Sequence, residues 1–575
     1  MQQENTVYAF KFMPTDADIA AKQSSCMPAC EVSVSYAQVQ ALGTLVEEEY
    51  RLQLMLSDLP VGRRVLDSES SESFRFKPGF PVGFRDSSKT IFYDHYQFTV
   101  YIKKSGGYSY IVGFEGEGKS NPPSCRLNGG PVELVTSKPT DQLLTFNMSY
   151  SIQFVEDSTF VGFVGNSRWE RYYATFSWYL RIPYLVMCAL AALVLAGIGA
   201  FTLIHTSADI RRYQQQAVPS FQNEPMMRAA LSALHAPSEY SGWALLTGDV
   251  LRPPRWASAL AALATIGLQA FLTALLLLFP TCLGFPSPRF RGSILLFGLL
   301  AWMGAGMPAG YVGGCLSVSM KTKSPKSLLM WYSSLVSILP LTGLVLIRLG
   351  ARVAGGYEMS FSALFFCALL YGTSIVLCNV FLALPPVFDH QFHQISLLNP
   401  LLHWTSALKT NAIPRQIPTM KVSGTLAISA LLAGMIPFFF ISAPVIEFMG
   451  ANWSQDYFHA YPMLLIGWAF MLFGAQLSGV TLTYTTLSRE NYHWWWRSFL
   501  GPASSALWIF LAAGLHFSFY IFTPSSLTTV SLYGIMVWII QALAVSLFFG
   551  VMNGAMGLMA SFVYVRLIYN TIKSD

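Results

Sequence analysis

From residue 179 onward the chain is a series of apolar runs, and their length decides what they can become. A bilayer core needs about 20 consecutive apolar residues in helical form. Nine runs reach that length, at roughly 179–204, 256–280, 294–317, 328–347, 360–384, 424–446, 462–484, 499–522 and 530–556. The last stays apolar to about 568, so its helix is expected to continue past the membrane face. Only helices and closed barrels satisfy every backbone polar group in hydrocarbon, and runs this long read as helices. Composition agrees, with 11% charged residues where a soluble domain carries about 25%. The expected fold is a membrane protein: an N-terminal mostly-β lumenal domain over 1–178, then an α-helical bundle of nine transmembrane helices with a short cytosolic tail over 179–575.

Residues 1–178 alternate rather than run. Leu144, Phe146, Met148, Tyr150, Ile152 and Phe154 are apolar at every second position, with Thr145, Asn147, Ser149, Ser151 and Gln153 between them. Period 2 predicts a half-buried strand. Phe98, Val100 and Ile102 alternate, "KKSGG" supplies a turn, and Tyr108, Tyr110, Val112 and Phe114 alternate again, a hairpin. Before them "YAQVQALGTLVEEEYRLQLML" reads as helical at its start, running into a strand. An antiparallel sheet or sandwich is expected.

Loop charge predicts sidedness. The gaps after odd-numbered runs hold Arg211, Arg212, Arg228, Arg252, Arg255, Lys321, Lys323, Lys326, Lys409, Arg415, Lys421, Arg489, Arg497, Arg566 and Lys573. Those after even-numbered runs hold only Arg289, Arg291, Arg348 and Arg352. The positive-inside rule makes the first set cytosolic, the N-terminal domain lumenal and the C-terminus cytosolic. Two candidate glycosylation sites, Asn147-Met148-Ser149 and Asn452-Trp453-Ser454, both fall on the side so assigned to the lumen. The net charge of +6 is scattered through loops with no dense stripe, so no nucleic-acid partner is expected.

Inside the nine runs there is no Asp, Glu, Lys or Arg well away from the ends. Coupled transporters place a carboxylate or a broken helix near the midplane; here the polar residues are milder, among them Gln269, Asn379, Gln476, His516, Gln541 and Asn553. A channel or transporter for a small solute or lipid remains the alternative reading, with Asn379, Gln476 or His516 lining its path. Gly306, Gly310 and Gly314 in the third run, and Gly550 and Gly554 in the ninth, repeat every fourth residue. Such stripes let backbones approach closely, either within the bundle or against a client helix. No HExxH, GxSxG or Walker loop is present, so no enzyme and no cofactor is expected. His390 and His393, near Asp389, could ligate a metal on a helix but read better as a solvated pair, and no metal site is assigned. Cys26 and Cys30 are candidates for a disulfide in an oxidising lumen. The remaining apolar-segment cysteines read as packing residues.

"ENYHWWWRSF" (490–499) opens the eighth run. Successive helical residues step about 100°, so Trp494, Trp495 and Trp496 would fan around the axis and offer no flat stacking platform. Tryptophan is enriched where membrane meets water, and the triplet with Arg497 reads as an interfacial anchor, its N–H groups in the wet layer and Arg497 reaching lipid phosphate.

This motif, with "SGWALLTGDVLRPPRW" (241–256), "NAIPRQIP" (411–418), "YSYIVGFE" (108–115) and the tail Lys573-Ser574-Asp575, resembles the transmembrane 9 superfamily, the nonaspanins or endomembrane protein 70 family, over nearly the whole chain. The resemblance implies a multipass protein of Golgi and endosomal membranes. Such proteins act in surface delivery of other membrane proteins, including clients with glycine-rich transmembrane helices, and through these in adhesion and phagocytosis. It implies that Lys573 and Asp575 bind the coatomer coat and hold the protein in the Golgi. Family members carry a cleaved signal peptide and a longer lumenal region before the segment that Cys26 and Cys30 match. This chain shows no signal peptide at its start, and the expectation is that it begins inside that region.

Overall fold

The computed structural model describes residues 26–156, 178–217, 243–283, 293–337, 361–388, 410–417, 426–522 and 532–570, with short internal gaps. Six strands form the main sheet of the N-terminal domain: β1 (Met27–Val34), β2 (Gly62–Leu66), β3 (Phe74–Pro78), β4 (His95–Ser105), β5 (Tyr108–Lys119) and β6 (Leu144–Glu156). Their order is β1-β6-β4-β5-β2-β3. The predicted hairpin is β4–β5, paired from His95↔Lys119 to Ser105↔Tyr108. The period-2 segment is β6, which buries Phe146, Ile152 and Phe154.

The sheet is mixed rather than antiparallel. β6 runs antiparallel to β1 but parallel to β4, from His95↔Ser149 to Ile102↔Glu156. Parallel neighbours need a long return connection, and residues 120–143 supply the length. One core joins Phe80, Phe98, Val100, Phe114, Ile152 and Phe154. A second lies under helix α1 (Tyr36–Glu47), where Val39 and Val46 meet Phe92 and Phe146. The strand expected after this helix is a pair of two-residue pieces, Arg51–Leu52 and Met55–Leu56.

The membrane region contains α2 (Trp178–Ala217), α3 (Ala257–Cys282), α4 (Ser293–Ser319), α5 (325–337) and α6 (Phe361–Phe388). After these come α7 (Leu426–Ser454), α8 (Tyr457–Ser488), α9 (Trp495–Ala503), α10 (Ser505–Phe522) and α11 (Leu532–Asn570). Among the described residues eight segments are long and apolar enough to cross a membrane, and they coincide with eight of the nine predicted runs. The fourth run is helical over 325–337, and the rest of it lies outside the described residues. The eighth crossing is made by α9 and α10 together, joined through Ser504.

Two helices overrun the membrane. α2 has 40 residues and α11 has 39, about 60 Å each at 1.5 Å per residue against a core of about 30 Å. The overrun of α11 was expected; that of α2 extends well beyond the predicted end at 204. The two extensions are tied by Thr206 Oγ1 and the Tyr564 hydroxyl, 3.0 Å apart. Leucine, valine and phenylalanine along α2, such as Leu193, Val194 and Phe201, are exposed, as befits a lipid-facing surface.

Candidate functional site

The three loop motifs that flank separate spans meet at one end of the bundle, the end that loop charge assigns to the cytosol. The organising element is the triplet Trp494–Trp496. Val250, Arg252 and Arg255 present carbonyls in the segment "VLRPPR", where Pro253 and Pro254 have no N–H and no regular ladder can form. Each indole takes one of these carbonyls. Trp494 Nε1 donates to Val250 O at 2.8 Å, Trp495 Nε1 to Arg252 O at 3.1 Å and Trp496 Nε1 to Arg255 O at 2.7 Å. Buried carbonyls need partners, and a proline-rich segment gets them here from side chains.

This corrects the interfacial-anchor reading of Trp494 and Trp495. Trp494 and Trp495 are 0% and 1% exposed, and their N–H groups face protein carbonyls instead of water. Nor do the rings fan apart. Trp494, at the N-cap of α9, already has helical backbone angles (φ −85°, ψ −26°), yet its ring stacks on that of Trp495 at 4.1 Å with 22° between planes. Trp496 is half-buried, and Arg497 is half-buried in the first turn of α9.

A second layer of polar contacts closes the hub. Asp249, 2% exposed, accepts from Arg252 Nε at 3.1 Å and from the Arg415 backbone N–H at 3.3 Å. Arg252 Nη2 donates to Asn411 O at 2.8 Å, and the Asn411 N–H donates to Gly248 O at 3.0 Å. A Cβ at Gly248 would meet the Asn411 side chain, which would have to turn aside. Arg415 pairs with Glu490 at 2.8 Å, and Glu490 closes the turn after α8 with φ 57°. From the other side the Tyr569 hydroxyl of α11 donates to Trp243 O at 2.6 Å, and Trp243 Nε1 donates to Asp209 of α2 at 3.4 Å. Sequence reasoning named Arg252 and Arg415 only as loop charges, and Asp249, Asn411 and Glu490 only as letters inside the three motif loops.

Within the membrane the mild polar residues join helices. Gln269 of α3 receives the Tyr332 hydroxyl at 2.6 Å and donates to Trp302 O at 3.0 Å. Asn379 donates to Ser333 at 2.8 Å, and Asn553 to Ser505 at 2.9 Å. The glycine stripes also face inward. A Cβ on Gly310 would lie 2.6 Å from Cys378 O of α6, and one on Gly306 would lie 3.3 Å from Cys378 Cβ. Gly314 is buried. A Cβ on Gly550 would lie 2.5 Å from Ala506 Cβ, and one on Gly554 2.9 Å from Phe499 O. Gly306, Gly310, Gly550 and Gly554 thus pack against the protein's own helices, the first of the two readings.

Cys26 is disulfide-bonded while Cys30 is a free, exposed thiol, so the proposed Cys26–Cys30 bridge is not formed. Between them the chain is extended in β1, and four residues at about 3.3 Å each hold the two Cα atoms too far apart for a disulfide. Asn147 is half-buried in β6, its N–H bonded to Asn128 Oδ1 at 2.9 Å. Asn452 falls in the last turn of α7. Lys573 and Asp575, like His390 and His393, lie outside the described residues.

A β-rich domain followed by long apolar helices, closed at one end by a tryptophan-clasped hub, defines a multipass membrane protein. The endomembrane protein 70 family model matches residues 5–530, and the chain belongs to this family. It is 27% identical to transmembrane 9 superfamily member 10 of Arabidopsis thaliana, over 100% of this chain and 87% of that protein. It is 23% identical to transmembrane 9 superfamily member 4 of Homo sapiens, over 95% and 83% respectively. Membership makes it a multipass protein of the endomembrane system. No solved structure is similar to it.

Proposed function

We propose that the protein is a non-catalytic sorting and trafficking factor of Golgi and endosomal membranes that helps place other membrane proteins. The observation that carries this reading is the family match over residues 5–530 with relatives that align across nearly the whole chain. The N-terminal domain faces the lumen and the hub and C-terminus face the cytosol, on the strength of the loop-charge asymmetry. Its partners are membrane lipids, client transmembrane proteins and the coatomer coat. Lys573 and Asp575 hold the coat, one cation and a terminal acidic group offering a charged pocket a specific pattern. The glycine stripes, filled from within, are not the client surface.

The test replaces Lys573 and Asp575 with alanine in the full chain and follows its location in cells. Loss of Golgi residence is the expected result. Unchanged residence would remove coat-dependent retention from this reading.

A further inference from the structure

Four cationic residues beside the hub lie at the ends of membrane spans. Arg255 lies two residues before the span Ala257–Cys282, and Arg489 one residue after the span Tyr461–Ser488. His493 lies two residues before the span Trp495–Ser518, and Arg497 is in that span's first turn. Three different helices therefore deliver positive charge to the same membrane edge. Trp496 fixes part of this arrangement directly, since its N–H holds the Arg255 carbonyl at 2.7 Å. Arg255, Arg489 and His493 are exposed, and Arg497 is half-buried.

The charges act on one another. Burial first, then Arg255 and Arg497, hold His493 below the ordinary imidazole range, and Arg489 acts electrostatically on Arg497. Asp249 is paired with Arg252, and Glu490 with Arg415. Apolar rings border the cluster. Trp256 is 69% exposed and packs edge-on against Trp331 at 5.9 Å, next to Met330, which is 71% exposed. Tryptophan beside arginine at the headgroup level suits a lipid whose tails lie along the rings and whose phosphate meets guanidinium groups. A single phosphodiester carries one negative charge; a phosphorylated inositol head carries several and answers three arginines.

We propose that Arg255, Arg489 and Arg497, with His493, form a binding site for the phosphorylated headgroup of an anionic inositol phospholipid in the adjoining leaflet. Arginine suits the role because its planar fork binds phosphate oxygens in pairs. Trp496 is a positioning residue that sets Arg255.

The test uses the full chain in phosphatidylcholine nanodiscs doped with phosphorylated phosphatidylinositol or, in a parallel arm, phosphatidylserine, and reads co-retained lipid by native mass spectrometry. The expected result is preferential retention of the phosphorylated inositol lipid, weakened about fivefold for each arginine changed to alanine. The triple change Arg255→Lys, Arg489→Lys and Arg497→Lys, which keeps the charge and loses the paired donors, should bind more weakly than the wild type and more strongly than the triple alanine variant. Arg255→Ala alone, at an exposed side chain, should weaken retention without altering the melting temperature. Equal retention of both lipids, or a triple alanine variant that binds as the wild type does, would overturn the proposal. So would displacement by soluble inositol phosphate at the affinity of the lipid, which would assign the cluster to a free anion. An acidic peptide that binds there while the lipid does not would assign it to a protein partner, with the same consequence.

Discussion

Each indole of Trp494–Trp496 serves a different carbonyl, so the three are not interchangeable. Trp494→Phe keeps most of the ring and removes the donor, leaving the Val250 carbonyl buried without its partner. The expected loss is about 1–3 kcal/mol, read as a lower melting temperature of the detergent-solubilised protein. Trp496→Phe, whose bond lies near the surface, should cost under about 1 kcal/mol. Equal effects at the two positions would mean that ring packing and not carbonyl capture holds the hub. His95 carries a second residue-scale expectation. It is 2% exposed, with Nδ1 2.8 Å from Ser149 Oγ and Nε2 3.0 Å from Ser151 Oγ. Burial lowers its pKa, opposed by Asp94 and aided by Lys119. A histidine whose folded pKa is depressed stabilises the fold fully above its unfolded value, about 6.5, and loses that contribution as pH falls through the folded value. The protection factors of amides in β4 and β6, exchange rates taken relative to an unstructured chain at the same pH, should therefore fall on acidification from neutral pH to about 5, and His95→Gln should flatten that dependence. Protection factors in the wild type that do not change with pH would exclude the role.

At the scale of elements, close approach is decided position by position. Gly310 on α4 sits against the backbone of α6, with Cys378 O 2.6 Å from where a Cβ would stand. Gly310→Val should force the helices apart at a cost of about 1–3 kcal/mol. Gly304 on the same helix meets nothing within 4 Å, and Gly304→Ala should leave the melting temperature within error or raise it. Equal destabilisation by both changes would show that the close approach to Cys378 is not what requires glycine at 310. The spacing of four was readable from sequence, and so was packing as one of its two meanings. Which surface would fill it was not, because Cys378 lies far along the chain. Similarly, alternation identified β6 and the β4–β5 hairpin, whereas the parallel pairing of β4 with β6 depends on the path of residues 120–143, which carry no periodic signal.

For the whole molecule, length and hydropathy were enough to place eight membrane segments, because the bilayer imposes one long apolar requirement that a single sequence displays openly. The hub was legible only as three unrelated motifs. Its bonds join tryptophan N–H groups to backbone carbonyls, and a carbonyl has no letter in the sequence. The same reason explains the misreading of the triplet: its composition suits the membrane surface, while its partners, 244, 243 and 241 residues earlier, are invisible from the motif itself. That separation has a consequence for biosynthesis. At roughly 5–20 residues per second, the "VLRPPR" segment leaves the ribosome on the order of tens of seconds before the tryptophans that complete it. Until then its carbonyls must be satisfied by water or a chaperone while several further helices insert. A ribosome that stalls anywhere between the two motifs leaves a chain that is largely inserted yet visibly unfinished at one end, a natural checkpoint for deciding whether the protein is exported or destroyed.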